Sequence, residues 1–449
     1  MFDLLLRGAT VVNATGMLRA DLGVSGGRVA ALLAPQAEAA ARVERRVDGC
    51  FLLPGLVDAH VHLREPGLTH KEDFVSGTRA AAAGGVTTLL DMPTDDPWTD
   101  SALTLADKIQ LAAGRLHVDV GFQIALRRAM QHAELAAIRA LGPVSCEVFT
   151  ADVPGDYLHA QQSELVRALH MLREFDVLAG VSPGDQSLLD AAPAGRDVAA
   201  FAASRPPLAE ASGIARAVLA AAETGARVHV RQTNSALGIA TWRRMRDLAD
   251  VSIETTPQCL LFTADDYARH GANLKASPPM RAEHDRVALL AALRDGLIDI
   301  VATDHAPHTK AEKAASYERF ADVPGGMPGV QTLLATMLHF VETGDIDLPA
   351  LVRMCAANPA QRFGLGASKG ALVPGRDADI LVLDPAQYTS ITDAEQHSRA
   401  GYTPFAGMRV RGKLSAVYLR GELVHMDQQP SAAWPPTGKV IGDFADGHA

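Results

Sequence analysis

Eight short apolar runs alternate with longer helix-forming stretches through the middle of this chain, and each run ends in polar residues. The stretches between the runs are rich in Ala and Leu, as in 103–113 and 286–295. Alternating strands and helices favour a parallel sheet, and eight repeats suffice to close it into a barrel. We therefore predict an α/β fold, a (β/α)8 TIM barrel over residues 55–364. The predicted strands lie at 55–62, 86–92, 117–125, 143–149, 176–182, 226–233, 250–256 and 297–304.

The two ends of the chain have a different pattern. Residues 1–54 contain short strand-like pieces separated by turn-forming residues. After Gly364 the strand–helix alternation stops, and two further strand candidates follow at 378–384 and 416–425. We predict that residues 1–54 and 365–449 together build a small β-sandwich domain, which ends in a loosely held tail.

Composition and charge exclude several kinds of protein. The chain has 449 residues, a formal net charge of −10 and a pI near 5.9, which argues against a nucleic-acid partner or an anionic membrane surface. Its four cysteines are scattered without a CxxC pair, as is typical of a reducing compartment. No apolar run approaches membrane-spanning length, and charges at Asp3 and Arg7 interrupt any signal-peptide core. We expect a soluble cytoplasmic protein.

Metal-ligand residues stand at the ends of the first and last predicted strands. His60 and His62 lie two residues apart, so an extended backbone points both side chains to the same face. Asp304 ends the last strand, and the carboxyl ends of all barrel strands meet at one face. An unpaired buried carboxylate is costly and needs a cation nearby. Two imidazoles and a carboxylate therefore predict a divalent-metal site with one position open for chemistry.

Several motifs follow one another in a specific order from end to end of the chain. They are His62-Leu-Arg-Glu-Pro-Gly67, Asp91-Met-Pro93, Asp304-His-Ala-Pro-His308, Asn358-Pro-Ala360 and Gly375-Arg-Asp-Ala-Asp379. This set resembles the amidohydrolase superfamily and, within it, the cyclic-amidase group of dihydroorotase, allantoinase and hydantoinase. The first and third motifs are most similar to dihydroorotase. The resemblance implies a cyclic amide as the small-molecule substrate, a place in pyrimidine metabolism, and a homo-oligomer, either a dimer or a tetramer.

The resemblance also implies a metal centre with six ligands. The histidine pair of strand one and the aspartate of strand eight are present here. Glu147 stands where the family has a carbamylated lysine, and Ser182 and Gln232 stand where it has two later histidines. Ser182 and Gln232 are poor ligands for a divalent transition metal. We therefore expect one zinc ion rather than two. Glu147 is either a further ligand or a carboxylate bonded to a neighbouring donor.

Three more residues are candidates for substrate binding because of this resemblance. Arg64 and His308 would hold a substrate carboxylate, a task that suits the planar guanidinium of arginine. A structural ion pair with Glu65 or Asp91 is the alternative for Arg64. Thr94 stands where dihydroorotases carry a substrate-contacting asparagine, so the substrate contact is altered here.

Three functions are consistent with these residues. The first is a metal-dependent, dihydroorotase-like hydrolase of cyclic amide bonds, in which Asp304 acts as general base and then protonates the departing nitrogen. The second is a non-catalytic dihydroorotase-like scaffold for a carbamoyltransferase partner, which the three changed ligands favour. The third is an allantoinase- or hydantoinase-like ring hydrolase. Retention of His60, His62 and Asp304 favours catalysis over the scaffold.

Overall fold

The computed structural model describes residues 1–193, 195–427, 429 and 434–442. Its strands run in chain order as follows. They are β1 (Phe2–Asn13), β2 (Gly16–Ser25), β3 (Arg28–Leu33), β4 (Ala41–Arg46), β5 (Phe51–Pro54), β6 (Leu56–Val61), β7 (Val86–Asp91), β8 (Asp119–Ala125), β9 (Ser145–Phe149), β10 (Ala179–Ser182), β11 (Val228–Val230), β12 (Val251–Thr255), β13 (Ile300–Val301), β14 (Ile380–Ser390), β15 (Arg409–Leu419), β16 (Glu422–Met426) and β17 (Val440–Ile441).

The α-helices fall mainly between the barrel strands and after the last of them. They are α1 (Phe74–Ala83), α2 (Ala102–Ala112), α3 (His132–Arg139), α4 (Gln162–Glu174), α5 (Gln186–Asp190), α6 (Val198–Ala203), α7 (Pro207–Thr224), α8 (Ala236–Met245), α9 (Pro257–Leu261), α10 (Tyr267–His270), α11 (Glu283–Arg294), α12 (Lys310–Ala314), α13 (Leu333–Glu342), α14 (Leu348–Val352) and α15 (Asn358–Arg362). Within the described ranges, no helix has both the length and the hydropathy needed to cross a bilayer.

Strands β6 to β13 form one parallel sheet in chain order, and this sheet curls into the predicted barrel. The backbone N–H of His62 donates to the carbonyl of His305 at 2.7 Å, and a parallel bridge between Val61 and His305 joins the two edges. Every residue of β6 to β9 is buried, as parallel strands covered on both faces require. The predicted (β/α)8 barrel is confirmed.

Both chain ends contribute to a second sheet of eight strands. Its order is β16-β15-β14-β5-β1-β2-β3, with β4 also paired to β1. The junction is the antiparallel pair β5–β14, in which Leu53 lies opposite Leu381 and Leu52 opposite Val382. Buried Leu, Val and Ala side chains from both chain ends form a core of their own here. The prediction that the two chain ends together build one small β unit is confirmed. The strands of this unit form a single sheet.

The end of the chain is held more firmly than the sequence suggests. Strand β17 pairs in parallel with β8, opposite Val120 and Gly121, so part of the predicted loose tail joins the barrel sheet beside β8. The approach is close, because a Cβ at Gly438 would lie 2.1 Å from the carbonyl oxygen of Val118. Glycine is the residue that permits such an approach. The rest of that tail prediction, at 428, 430–433 and 443–449, lies outside the described residues.

Local capping fixes where the first two barrel helices begin. The Asp73 side chain accepts a hydrogen bond from the Ser76 backbone at the start of α1, and Ser101 accepts one from Thr104 at the start of α2. Both are capping boxes, which satisfy backbone groups that a helix end would otherwise leave unbonded. The caps define the ends of the loops that follow β6 and β7, and these loops carry candidate site residues.

Candidate active site

The structure brings His60, His62 and Asp304 together at the carboxyl end of the barrel. His60 lies on β6, His62 follows it, and Asp304 follows β13. The Nε2 atom of each histidine lies 3.3 Å from Oδ1 of Asp304. Ligand atoms bound to a tetrahedral zinc ion at about 2.0–2.1 Å lie about 3.3 Å apart. The donor set and its spacing therefore fit one divalent ion.

Hydrogen bonds on the far side of each imidazole orient these rings. Nδ1 of His60 lies 2.5 Å from Oε1 of Glu254 on β12, and Nδ1 of His62 lies 2.9 Å from Oγ1 of Thr94. Such partners fix the tautomer and leave Nε2 free to bind a metal. Thr94, for which the sequence predicts a substrate contact, is bonded to a metal-ligand candidate instead. Glu254 has no assigned role in the sequence analysis, although it ends a barrel strand.

Three residues around this cluster have a backbone conformation that side chains rarely adopt. Arg64, Gln232 and Asp304 have φ angles of +61°, +45° and +48°. Each such residue costs of order 1–3 kcal/mol, and such strain concentrates at functional sites. The Gln232 side chain donates from Nε2 to Oδ2 of Asp304 at 2.5 Å. The Asp304 carboxylate is thereby held with Oδ1 toward the two imidazoles and Oδ2 hydrogen-bonded to the amide of Gln232.

The two imidazoles differ in their affinity for a proton. Burial lowers the pKa of His62 to about 3, with Asp304 opposing the shift and the charge of Arg64 adding to it. Burial also acts against the charged form of His60, but Glu254 and Asp304 outweigh it and raise the pKa of His60. Burial opposes the charged form of Glu254 as well, yet His60 and Arg231 bring the pKa of that carboxyl well below its ordinary value. His62 is therefore neutral, the form in which imidazole binds metals.

Glu147 is the remaining residue that the sequence predicts as a metal ligand. It is not part of the His60–His62–Asp304 cluster. Its carboxylate forms an ion pair with Arg231, with Oε1 2.6 Å from Nη2 and Oε2 3.2 Å from Nε. Both side chains are fully buried. This arrangement corresponds to the alternative in which the Glu147 carboxylate is bonded to a neighbouring donor. Nothing in the sequence analysis identifies Arg231 as that donor.

Arg64 and His308 meet next to the histidine pair, and both are buried. Nε2 of His308 lies 3.0 Å from the carbonyl oxygen of Gly325, which can only accept, so Nε2 carries the hydrogen. Nη2 of Arg64 lies 3.4 Å from the same nitrogen. Burial, with the charges of Arg64 and Lys71, lowers the pKa of His308 to about 2, so this ring is neutral and its Nδ1 is an acceptor. Within the described residues, Nε of Arg64 and Nδ1 of His308 have no hydrogen-bond partner.

The two carboxylates proposed as alternative partners of Arg64 have other partners. Glu65 pairs with Arg115 at 2.6 Å, and Asp91 pairs with Lys108 at 2.6 Å. The Arg64 guanidinium is thus a buried positive charge without an ion-pair partner in the described part of the chain. A buried unpaired charge is costly, so an anion placed beside Arg64 would lower that cost.

A cavity of about 210 Å³ reaches the cluster through Gln232, whose amide is bonded to Asp304, and His60, His62 and Asp304 themselves do not line it. Ser182 and Gln232 line its wall together with Phe149 and Ser277. Ligand pockets for drug-sized molecules are about 300–1,000 Å³, so this one suits a single small ring. A larger cavity of about 760 Å³, near α3 and α4, includes none of the cluster residues.

Comparison with known proteins places the chain in a family. The model of the amidohydrolase family matches residues 51–424. A dihydroorotase of Halobacterium salinarum is 39% identical over 360 residues, which cover 79% of this chain and 82% of that protein. An allantoinase of Streptomyces avermitilis is 36% identical over 98% of both chains. The solved structure of an L-hydantoinase from Arthrobacter aurescens superposes with a TM-score of 0.93 at 29% identity, and the match covers 98% of this chain and 100% of that one.

These matches bear out the resemblance drawn from the motifs. They carry three different names, so the choice among dihydroorotase, allantoinase and hydantoinase depends on the chemistry of the site. The matched range runs from β5 through the whole barrel into β16 of the second sheet. This chain is a member of the amidohydrolase family.

Proposed function

We propose that this protein is a dihydroorotase-like hydrolase of cyclic amide C–N bonds that uses one divalent metal ion, zinc. His60, His62 and Asp304 hold the ion, and Glu147 remains paired with Arg231. The observation that carries the proposal is the convergence of two imidazole Nε2 atoms on one carboxylate oxygen at 3.3 Å. When bound, such an ion lowers the pKa of water toward about 7 and polarises a carbonyl oxygen.

Asp304 moves the proton in the proposed reaction. Water attacks the ring carbonyl carbon, and the Asp304 carboxylate accepts the proton that the water loses. As the C–N bond breaks, Asp304 gives this proton to the departing nitrogen, which becomes an N–H group. The carbonyl carbon leaves as a carboxylic acid, which then loses its remaining proton to solvent. Gln232 keeps Oδ2 of Asp304 hydrogen-bonded at 2.5 Å and so restricts its rotation through the cycle.

Arg64 and His308 select the ring. A carboxylate on the substrate would pair with the buried Arg64 guanidinium, which has an unsatisfied Nε–H. Nδ1 of neutral His308 would accept a hydrogen bond from a ring N–H. A ring with a carboxylate next to an N–H satisfies both groups at once, which favours a dihydroorotate-like substrate over uncarboxylated rings.

The proposal extends to the setting of the enzyme. We place it in the cytoplasm, in pyrimidine metabolism, as a homodimer or homotetramer. The four cysteines are free, as expected in a reducing compartment, and the net charge of −10 disfavours nucleic acid as a partner. Light scattering of the purified protein measures its oligomeric state directly.

A direct assay combined with metal analysis tests the function. Purified protein is incubated with zinc, manganese or cobalt and freed of excess metal. It is then assayed on dihydroorotate, hydantoin and allantoin, with the metal content measured on the same sample. We expect about one zinc per chain, as in mononuclear catalytic sites, and ring opening of dihydroorotate. A chain that binds none of these metals and opens none of these rings is instead the scaffold, to be tested for carbamoyltransferase binding.

The substitution Arg64→Ala separates a dihydroorotase-like enzyme from an allantoinase or hydantoinase. A charged hydrogen bond contributes about 1.5–3 kcal/mol, so we expect kcat/KM for dihydroorotate to fall by about 10–100-fold. Hydantoin turnover should change little, because that ring has no carboxylate. Arg243→Ala is the control, since Arg243 forms only an exposed ion pair with Asp295. Equal losses on both rings would exclude the carboxylate-binding role.

A further inference from the structure

A fully buried guanidinium lies inside the barrel, next to the strand that carries His60. Arg231 follows β11, and all five of its N–H donors are used. Nε and Nη2 donate to Glu147, Nη1 donates to Ala59 O at 2.9 Å and Glu254 Oε2 at 3.2 Å, and Nη2 also donates to Gln123 Oε1. One side chain therefore links four other barrel strands through hydrogen bonds.

The carboxylates around Arg231 are satisfied as well. Glu147 Oε1 also accepts from Ser145 Oγ at 3.2 Å. Glu254 divides its oxygens, with Oε2 on Arg231 and 2.9 Å from His229 Nε2, and Oε1 on His60. Two buried carboxylates need positive charge close by, because the cost of burying unpaired charges is high. Arg231 supplies that charge from within the protein.

Strand β10, next to the strand of Glu147, has a glycine where the Glu147 carboxylate lies. A Cβ at Gly180 on β10 would lie 1.8 Å from Oε1 of Glu147. Glycine at this position therefore allows the carboxylate to reach Arg231. The Phe363 ring, 5.4 Å from the guanidinium carbon, covers the group on another side. The ion pair is therefore enclosed by β10 on one side and by the Phe363 ring on another.

We propose that Arg231 is a built-in cation that takes the place of a second metal ion beside the His60–His62–Asp304 site. This inference rests on the proposed function. Both carboxylates next to the site are hydrogen-bonded to Arg231, so neither has both oxygens free to bind a further ion. Arg231 is also a positioning residue: it occupies Oε2 of Glu254 and leaves Oε1 to orient His60.

The arrangement is permanent because arginine does not lose its proton in proteins. Burial opposes the charge, but Glu147 and Glu254 outweigh it and raise the pKa of Arg231 above its ordinary value. The positive charge of Arg231 is therefore present whether or not a metal ion is bound to His60, His62 and Asp304. The geometry of the site on the Glu254 side should not change when the metal is removed.

Metal titration of the unaltered protein is the first test. The protein is stripped with a chelator, reloaded with excess zinc or manganese, and analysed for bound metal per chain. We expect a plateau at about one ion at every excess. A plateau at two ions overturns the inference and leaves the proposed function standing. Binding of no ion overturns the proposed function itself, so the two failures are distinguishable.

Arg231→Met tests the positioning role through zinc affinity, measured by competition with a chromophoric chelator. Loss of the direct outer partner of a ligating histidine weakens metal binding by about 10–100-fold. Arg231→Met keeps that partner, Glu254, but removes its anchor, so we expect a measurable loss of zinc affinity that does not exceed this range. Arg7→Met is the matched control, because it removes a partly buried guanidinium bonded to Asp21 and Glu44 in the second sheet, away from the site. The control should be destabilised but bind zinc as the unaltered protein does.

A double variant covers the case in which Arg231→Met does not fold. Arg231→Met combined with Glu147→Gln removes both charges of the ion pair while leaving Glu254 without its guanidinium. We expect this variant to fold, to bind zinc more weakly than Glu147→Gln alone, and to show a changed visible spectrum after cobalt substitution. Equal zinc affinity and an unchanged cobalt spectrum in the two variants would overturn the positioning role.

Discussion

The substitution Asp304→Asn is expected to lower kcat for ring hydrolysis by about 10²–10⁴-fold, the range typical of a lost general acid–base group. The amide keeps the size of the side chain and an oxygen that can face the imidazoles. It cannot accept the proton of the attacking water or return it to the departing nitrogen. Turnover of dihydroorotate at saturating zinc, with metal content measured in parallel, separates the loss of proton transfer from a loss of metal.

The control for this experiment is Asp295→Asn, at the end of α11, in the segment that leads to the same strand. Asp295 forms an exposed ion pair with Arg243 at 2.9 Å and lies away from the cluster. This variant should keep the activity of the unaltered protein. If Asp304→Asn retains turnover within about tenfold while fully metal-loaded, Asp304 is not the proton acceptor.

The second large effect is expected on stability. Lys108 on α2 is fully buried, with Nζ 2.6 Å from Oδ2 of Asp91 and 2.5 Å from Oδ2 of Asp95. Breaking a buried ion pair by removing one partner costs about 3–5 kcal/mol, because charge is left buried and uncompensated. Lys108→Met should lower the free energy of unfolding in urea by about this amount at pH 8.

The pH dependence of that loss gives a further check. Burial raises the pKa of Asp95 to about 7, with Lys108 opposing the shift. Without Lys108 the folded-state pKa rises further, so the folded protein binds a proton that the unfolded chain releases near pH 4. Protonation then relieves the repulsion between Asp91 and Asp95, and the deficit of Lys108→Met should shrink between pH 8 and pH 5.

Lys310→Met is the matched control, because Lys310 forms an exposed ion pair with Asp393 at 3.1 Å. Exposed pairs contribute at most about 1 kcal/mol, so this variant should unfold nearly as the unaltered protein does. Equal unfolding free energies for the two lysine variants would contradict the assigned role of the buried cluster. The group of Lys108, Asp91 and Asp95 also bears on the candidate site. Asp91 accepts a hydrogen bond from the backbone N–H of Leu63, next to Arg64.

The barrel could be predicted from the sequence because its strands are buried on both faces. Such strands are continuous apolar runs, and each of the eight predicted windows contains the strand found in the structure, from 55–62 around β6 to 297–304 around β13. The positions of His60, His62 and Asp304 followed from strand alternation and from the shared face at which parallel strands end. The loose tail was predicted wrongly at β17, since a strand of two residues has no pattern of its own.

Strand alternation was a poorer guide beyond the end of β11. Extended through Gln232, alternation would place His229 and Gln232 on opposite faces. The strand ends at Val230 and Gln232 has a φ of +45°, so the alternation does not continue to that residue. The Nε2 atom of His229 donates to Oε2 of Glu254 at 2.9 Å, inside the barrel. A left-handed residue cannot be recognised from an apolar pattern, because it depends on what the surrounding structure imposes.

The sequence by itself determined the barrel, the joining of the chain ends and the three residues of the metal-ligand cluster, because each depends on a local period or on a motif. Only the tertiary structure decided the partners of Glu147, Glu254 and Thr94. The bond between Arg231 and Glu147 spans 84 residues of chain, and that between Arg231 and the backbone of Ala59 spans 172. Contacts of this kind arise when closure of the barrel brings distant strands side by side, and no spacing along the chain encodes them.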